Sequence, residues 1–288
     1  MIEPRLHHVQ CLDGRGLHRM AFWEWGDAVN PQVLLCVHGL SRQGRDFDAL
    51  AKALSGHYRV VCPDVVGRGQ SDWLVDPMGY QIAAYVADMV TLLARLNANA
   101  VDWVGTSMGG LIGMGLASLS KNPIRRLVLN DVGPTIQAQA IQRIGSYLGL
   151  PMRWDSIDAA ADYMWSISQG FGPHTREQWL ALTRPMLKQD GEGFKPHYDP
   201  NIAVPFKSFT PEMAATGEAL LWHSYDAIRC PTLLLRGADS DLLSRDTAQA
   251  MTARGPKTSL REFTGVGHAP MLVAQDQIDA VKGFLLSP

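Results

Sequence analysis

Short, mostly apolar runs recur along the chain, separated by longer stretches in which apolar residues return every third or fourth position. Residues 33–37, 59–62, 101–105, 127–129, 232–235 and 260–263 are these runs, and each reads as a strand. Residues 47–54, 82–96, 247–252 and 277–285, together with a stretch of small apolar residues starting at Ser107, have helical spacing. Strands that alternate with helices and lack a polar face belong to a parallel sheet covered on both sides. Ahead of them, 5–12 and 17–25 read as an antiparallel hairpin turning at Asp13-Gly14. The fold class expected is therefore α/β, a mostly parallel eight-stranded sheet with helices on both faces. The rhythm fails over 134–223, which has helical patterns, turn signals at Pro151, Gly170-Phe171-Gly172-Pro173 and Asp190-Gly191, and no clear buried strand. It carries four of the eight tryptophans, Trp154, Trp165, Trp179 and Trp222. It reads as a mainly helical insertion, a lid over the edge of a core made from 1–133 and 224–288.

Composition narrows the class without pointing to an activity. Hydrophobic residues are 46% and charged residues 19% of 288, ordinary for a globular chain with a large core. With 26 Lys and Arg against 28 Asp and Glu, there is no basic footprint for nucleic acid or an anionic membrane. The polar start Met1-Ile2-Glu3-Pro4-Arg5 lacks the apolar core of a signal peptide, and no run approaches a membrane span. The four cysteines are scattered, without metal-ligand spacing, and fit buried reduced thiols in a cytoplasmic protein. No dinucleotide loop appears, and Gly105 to Gly110 is too short for a phosphate loop and has no lysine, so no cofactor is expected.

The chemistry concentrates at Gly105-Thr106-Ser107-Met108-Gly109, a G-x-S-x-G placed directly after a strand and directly before a helix. That context is a nucleophile elbow: the turn is too sharp for side chains at either glycine, and it lifts the Ser107 hydroxyl clear of the sheet. A serine hydroxyl needs a base to take its proton and an acid to orient the base. His268 follows the last strand in Gly265-Val266-Gly267-His268 and so sits at the carboxyl edge of the sheet, where catalytic groups of open α/β sheets gather. Asp131, after the strand that follows the Ser107 helix, and Asp239 or Asp241, after the next, end on that same edge. The Met108 amide and the Leu40 amide, in the glycine turn His38-Gly39-Leu40-Ser41, are the expected oxyanion donors. His38 reads as a brace for that turn, and Arg42 as a surface arginine with a lesser possibility of carboxylate recognition.

Four blocks in this order, His38-Gly39, Pro63-Asp64-Val65-Val66-Gly67-Arg68-Gly69-Gln70-Ser71, Gly105 to Gly110 and Gly267-His268, resemble the α/β-hydrolase superfamily and its lid-bearing serine esterase-like branch. The resemblance covers the chain outside 134–223. The family commonly carries its acid three residues after the glycine that closes the seventh strand, which here is Ser240. A subset places it after the sixth strand, where Asp131 stands. The resemblance therefore favours Asp131, with Asp241 as the alternative and Ser240 as a supporting partner. It implies a hydrolase that cleaves an ester-type bond of a small apolar acyl substrate through an acyl-enzyme. Carbon–carbon bond hydrolysis, lactone opening and thioester hydrolysis use the same groups, and a non-catalytic small-molecule receptor is the alternative outside enzymology. A serine at the elbow disfavours the family's dehalogenase and epoxide-hydrolase chemistries, which use aspartate there. Trp154, Met164, Trp165, Phe171, Trp179 and Trp222 either line an apolar pocket or form the insertion's own core.

Overall fold

The computed structural model describes residues 3–207 and 211–287. The first two strands, β1 (Arg5–Asp13) and β2 (Gly16–Trp25), form the expected hairpin, with Asp13 Oδ1 accepting the amides of Arg15 and Gly16 to close it. Then come β3 (Val33–Val37), α1 (Asp48–Leu54), β4 (Arg59–Pro63), α2 (Ile82–Leu96), β5 (Val101–Thr106), α3 (Met108–Ala117) and β6 (Ile124–Asn130). The long connection that follows holds α4 (Ala138–Tyr147), α5 (Ile157–Ile167), α6 (Arg176–Thr183), a small hairpin β7 (Leu187–Asp190) and β8 (Gly193–Pro196), α7 (Val204–Lys207) and α8 (Pro211–Ala227). The chain ends with β9 (Thr232–Gly237), α9 (Arg245–Ala253), β10 (Ser259–Phe263) and α10 (Gln275–Leu285).

Eight strands make one sheet in the order β1-β2-β4-β3-β5-β6-β9-β10. Its β4, β3, β5, β6, β9 and β10 are parallel neighbours, while β2 runs antiparallel to both β1 and β4. The apolar strands obey the period-2 rule toward two cores at once. Val33, Leu35 and Val37 of β3 face a core shared with α2 and α3, while Leu34 and Cys36 face the opposite core with α1 and α10. In β6, Leu127 and Leu129 take the first face and Val128 the second. This double burial makes Val33–Val37 and Leu127–Leu129 wholly apolar.

The β7–β8 hairpin lies where no buried strand was expected. Its residues are half-buried or exposed apart from Gly193, so burial imposes no apolar alternation on them. Helix α8 runs across residue 223, and its Tyr225 is buried in the main core. Among the described residues no helix is long and apolar enough to cross a membrane. Cys11, Cys36 and Cys62 are buried free thiols, and Cys230 is half-buried.

Candidate active site

Strand β5 passes into α3 through one residue, Ser107, whose backbone sits at φ +52°, ψ −116°. An L-residue is rarely found there, and the surroundings must hold it in place. Its amide donates to the Asn130 carbonyl at 2.9 Å, and its own carbonyl accepts from Gly110 and Leu111. The two flanking glycines are required by contact. A Cβ on Gly105 would stand 2.3 Å from the Gly109 carbonyl oxygen, and one on Gly109 would stand 1.9 Å from that of Val37. The start of α3 is thus pressed onto the end of β3 as the elbow pattern demands.

The structure brings Ser107, His268 and Asp131 together. His268 Nε2 lies 3.0 Å from Ser107 Oγ, and Nδ1 lies 2.7 Å from Asp131 Oδ2. A carboxylate can only accept, so Nδ1 carries the proton and Nε2 is left to accept from the serine hydroxyl. Asp131 is fully buried, and its second oxygen accepts the Gly237 amide at 2.9 Å. Ser240 Oγ donates to Oδ2 at 2.6 Å, the supporting role expected of it. Gly237 also lets the His268 loop pass, since a Cβ there would lie 2.1 Å from the Gly267 carbonyl oxygen.

Asp241 is elsewhere. Its exposed carboxylate pairs with Arg143 of α4 at 2.7 and 3.1 Å. The loop after β9 turns Ser240 inward to Asp131, and its neighbour consequently faces out. The alternative acid of the sequence reading is thereby corrected. Asp239 is likewise exposed, tied by its amide to the Val266 carbonyl.

The two expected oxyanion donors flank the serine. Met108 is the first residue of α3, and Leu40 follows Gly39, where an added Cβ would be 3.6 Å from Ser107 Cβ. His38 braces this turn: Nδ1–H donates to the Gly39 carbonyl at 2.7 Å and Nε2 accepts the Val65 amide at 2.9 Å. Burial pushes its pKa down to about 3, which keeps the ring neutral. Arg68 was not singled out from the sequence beyond its place in the glycine-rich block. It is fully buried, with Nε donating to the Leu40 carbonyl at 2.8 Å, Nη1 to the Val66 carbonyl and the Tyr85 hydroxyl, and Nη2 3.6 Å from Met108 Sδ. One guanidinium therefore touches both residues expected to supply the oxyanion amides. In the same block Asp64 accepts from Gly44, Gln70 and Trp23, and burial raises its pKa to about 6.

Ser107 and His268 open onto a cavity of about 130 Å³ whose opposite wall includes Trp154, Tyr163, Met164, Phe171 and Tyr198. The aromatic set divides. Trp154, Met164 and Phe171 line the cavity. Trp165 and Trp179 pack edge-to-face at 5.0 Å in a separate small core with Ala161 and Leu182. Trp222 packs on Tyr225 and under Arg254 and does not line the cavity. Arg42 also lines it, so the surface reading is corrected: its side chain is only 13% exposed and makes two hydrogen bonds to Asp46.

Among the described residues, Cys11, His18 and Asp88 are close enough to share a metal ion, with ligand atoms within 4.8 Å of one another. They come from β1, β2 and α2, which is why no spacing in the sequence reveals them. None lines the cavity. His18 and Asp88 are 3.1 Å apart, Asp88 raises the His18 pKa, and burial pushes the Cys11 thiol to about 12.

A model of the alpha/beta hydrolase family matches residues 34–281. The chain is 57% identical over 286 residues to a 3-hydroxybutyrate-oligomer hydrolase of Cupriavidus necator, covering 98% of both. Among solved structures it resembles a "putative hydrolase" of Rickettsia typhi, with TM-score 0.88, 31% identity and 98% of each chain covered. It also resembles an alpha/beta hydrolase of Novosphingobium aromaticivorans, with TM-score 0.87, 34% identity and 99% of each covered.

Proposed function

The chain belongs to the alpha/beta hydrolase family and is a hydrolase; from that premise we propose that it cleaves the ester bonds of short 3-hydroxybutyrate oligomers by acyl transfer through Ser107. The observation that carries the mechanism is the unbroken hydrogen-bonded run from Ser107 Oγ through His268 to Asp131. The substrate class rests on the Cupriavidus relative.

In this reading His268 Nε2 takes the Ser107 proton as Oγ attacks the ester carbonyl, and Asp131 stabilises the imidazolium that forms. The amides of Leu40 and Met108 receive the oxyanion, with their turn and helix end held by His38 and Arg68. The imidazolium then protonates the leaving alcohol, and water, activated by the same base, releases the acyl group. The cavity of about 130 Å³ is below the roughly 300–1,000 Å³ of drug-sized sites and suits a short acyl unit. Residues 134–223 serve as the lid, with Trp154, Met164 and Phe171 as its substrate-facing side. The small apolar acyl group expected from the sequence becomes a four-carbon hydroxyacyl group with a polar end.

The test is hydrolysis of the 3-hydroxybutyrate dimer by the parent and by Ser107→Ala, with fluorophosphonate labelling of both. The reading expects parent turnover, labelling at Ser107, and a loss of at least ~10³-fold in kcat in the variant. A parent that is labelled but leaves the dimer intact removes the substrate class. A parent that resists labelling makes the chain a receptor.

A further inference from the structure

The proposed substrate carries a charge that no residue assigned above meets. A 3-hydroxybutyrate oligomer ends in a carboxylate, and when the ester nearest that end is cut, the carboxylate travels with the leaving alcohol. From the attacked carbonyl carbon through the ester oxygen, methine and methylene to the carboxylate carbon is four bonds, a reach of roughly 5 Å at ~1.5 Å per bond. An anion that close to Ser107, in a cavity walled mostly by apolar side chains, needs a fixed donor.

Two arginines line the cavity, Arg42 and Arg143. Arg143 and its partner Asp241 are 39% and 46% exposed, and a solvated pair of this kind contributes little. Arg42 is enclosed, and three contacts fix its plane. Nε and Nη2 donate to Asp46 at 2.7 and 2.6 Å, Nη2 reaches the Leu182 carbonyl at 3.3 Å, and the guanidinium carbon lies 5.7 Å from the centre of the Phe171 ring. Asp46 takes the Nε–Nη2 edge, and Nη1 makes no hydrogen bond among the described residues. The Gly39 turn touches both the nucleophile and the arginine stem: a Cβ on Gly39 would stand 3.6 Å from Ser107 Cβ and 3.8 Å from Arg42 Cγ. The Arg42–Asp46 pair is neutral as a whole, so it offers no long-range field. It offers a donor whose orientation has already been fixed, and that lowers the entropy lost on binding.

We infer that Arg42 is a carboxylate subsite: it binds the free acid end of the substrate, with Phe171 beneath it, and thereby selects the ester next to that end for cleavage. Asp46 is the positioning residue that holds the fork. The inference rests on the ester-oligomer reading given above and adds to it which bond is cut and what recognises it.

The experiment compares kcat/KM for the 3-hydroxybutyrate dimer and for its methyl ester, following cleavage of the bond between the two units. The parent is expected to favour the free acid. Arg42→Gln should lower kcat/KM for the acid by ~10- to 100-fold, the range of one charge-assisted hydrogen bond, chiefly through KM because the carboxylate is held before and during the reaction. The ratio of acid to ester should fall toward one. Since Arg42→Gln strands the buried Asp46, the double variant Arg42→Gln/Asp46→Asn is measured beside it, and its ratio stands if the single variant does not fold. A parent that cleaves acid and ester equally well, a preference that survives in the double variant, or a preference abolished by Arg143→Gln instead overturns the inference. A parent inactive on both compounds overturns the ester-oligomer reading itself.

Discussion

The two walls of the cavity are built by different means. On the sheet side the reacting groups are held by hydrogen bonds in which main chain takes part: Ser107 on the Asn130 carbonyl, Asp131 by the Leu235 carbonyl and the Gly237 amide, and the Leu40 turn through its carbonyls by the His38 and Arg68 side chains. On the opposite side the wall is side chain from short helices and the segment before α5, with Trp154, Tyr163, Met164 and Phe171 each half-buried over a core of Trp165 and Trp179. Main-chain contacts fix atoms to within tenths of an ångström, as acyl transfer requires. A wall of half-buried side chains can change shape without disturbing them. The proposed function puts chemistry on the first wall and preference on the second.

The harshest way to break this contrast is Gly109→Ala, which drives a methyl group to within 1.9 Å of the Val37 carbonyl oxygen. No side-chain rotation relieves a clash with backbone, and we expect no folded protein in a soluble-fraction and circular-dichroism comparison. Gly217→Ala, on α8, meets nothing within 4 Å and should fold as the parent does. Next in size, Asp131→Asn should cost ~10³- to 10⁴-fold in kcat while Asp241→Asn stays within about threefold, since only the former orients His268. Equal kinetics for the pair would return the acid to the β9 loop.

A third comparison concerns pH. His38 is neutral in the fold, with a pKa pushed down to about 3 by burial, while in the unfolded chain it titrates near its ordinary 6.5. Between those values the unfolded chain binds the extra proton, so stability is full above about 6.5 and falls as the solution is acidified. Urea titrations near pH 5 and pH 7 should differ by about 2 kcal/mol less in His38→Gln than in the parent. His174, on the other wall, is also lowered by burial but remains half-buried, and His174→Gln should change the difference less. The smallest effect is expected from Trp154→Ala: a change of about tenfold in the ratio of kcat/KM for short and long acyl esters, with Tm within a few degrees, because a partly exposed wall residue carries little of the fold. A collapse of Tm instead would make Trp154 part of the scaffold.

The same division decides what could be read before folding. Strands β3, β5 and β6 were legible because Val33–Val37, Trp103, Val104 and Leu127–Leu129 are buried on both faces of the sheet and had to be apolar. Ser107 was legible because Gly105 and Gly109 are dictated by contacts within a few residues or with the adjacent strand. His268 followed from its place after the last strand. The acid was not decided by local pattern, because Asp131 and Asp241 both follow strands ending at one edge. What separates them is a loop turn that sends Ser240 in and Asp241 out. Arg42 and Arg68 were missed as buried donors, since an arginine's burial depends on partners far along the chain, Leu182 in one case and Tyr85 in the other. The hairpin β7–β8 escaped because a strand pair outside the cores has no apolar face to announce it.

A main-chain contact joins the walls next to the imidazole. The Gly267 amide, next to His268, donates to the Gly170 carbonyl at 2.6 Å, and Phe171 comes immediately after. Displacing residue 170 would break that clasp and leave the strip of chain carrying the imidazole held from the sheet side, by Asp131 and by the Asp239 amide on the Val266 carbonyl. Were residues 134–223 to open as the proposed lid, admission of a molecule and readiness to react would be geared together.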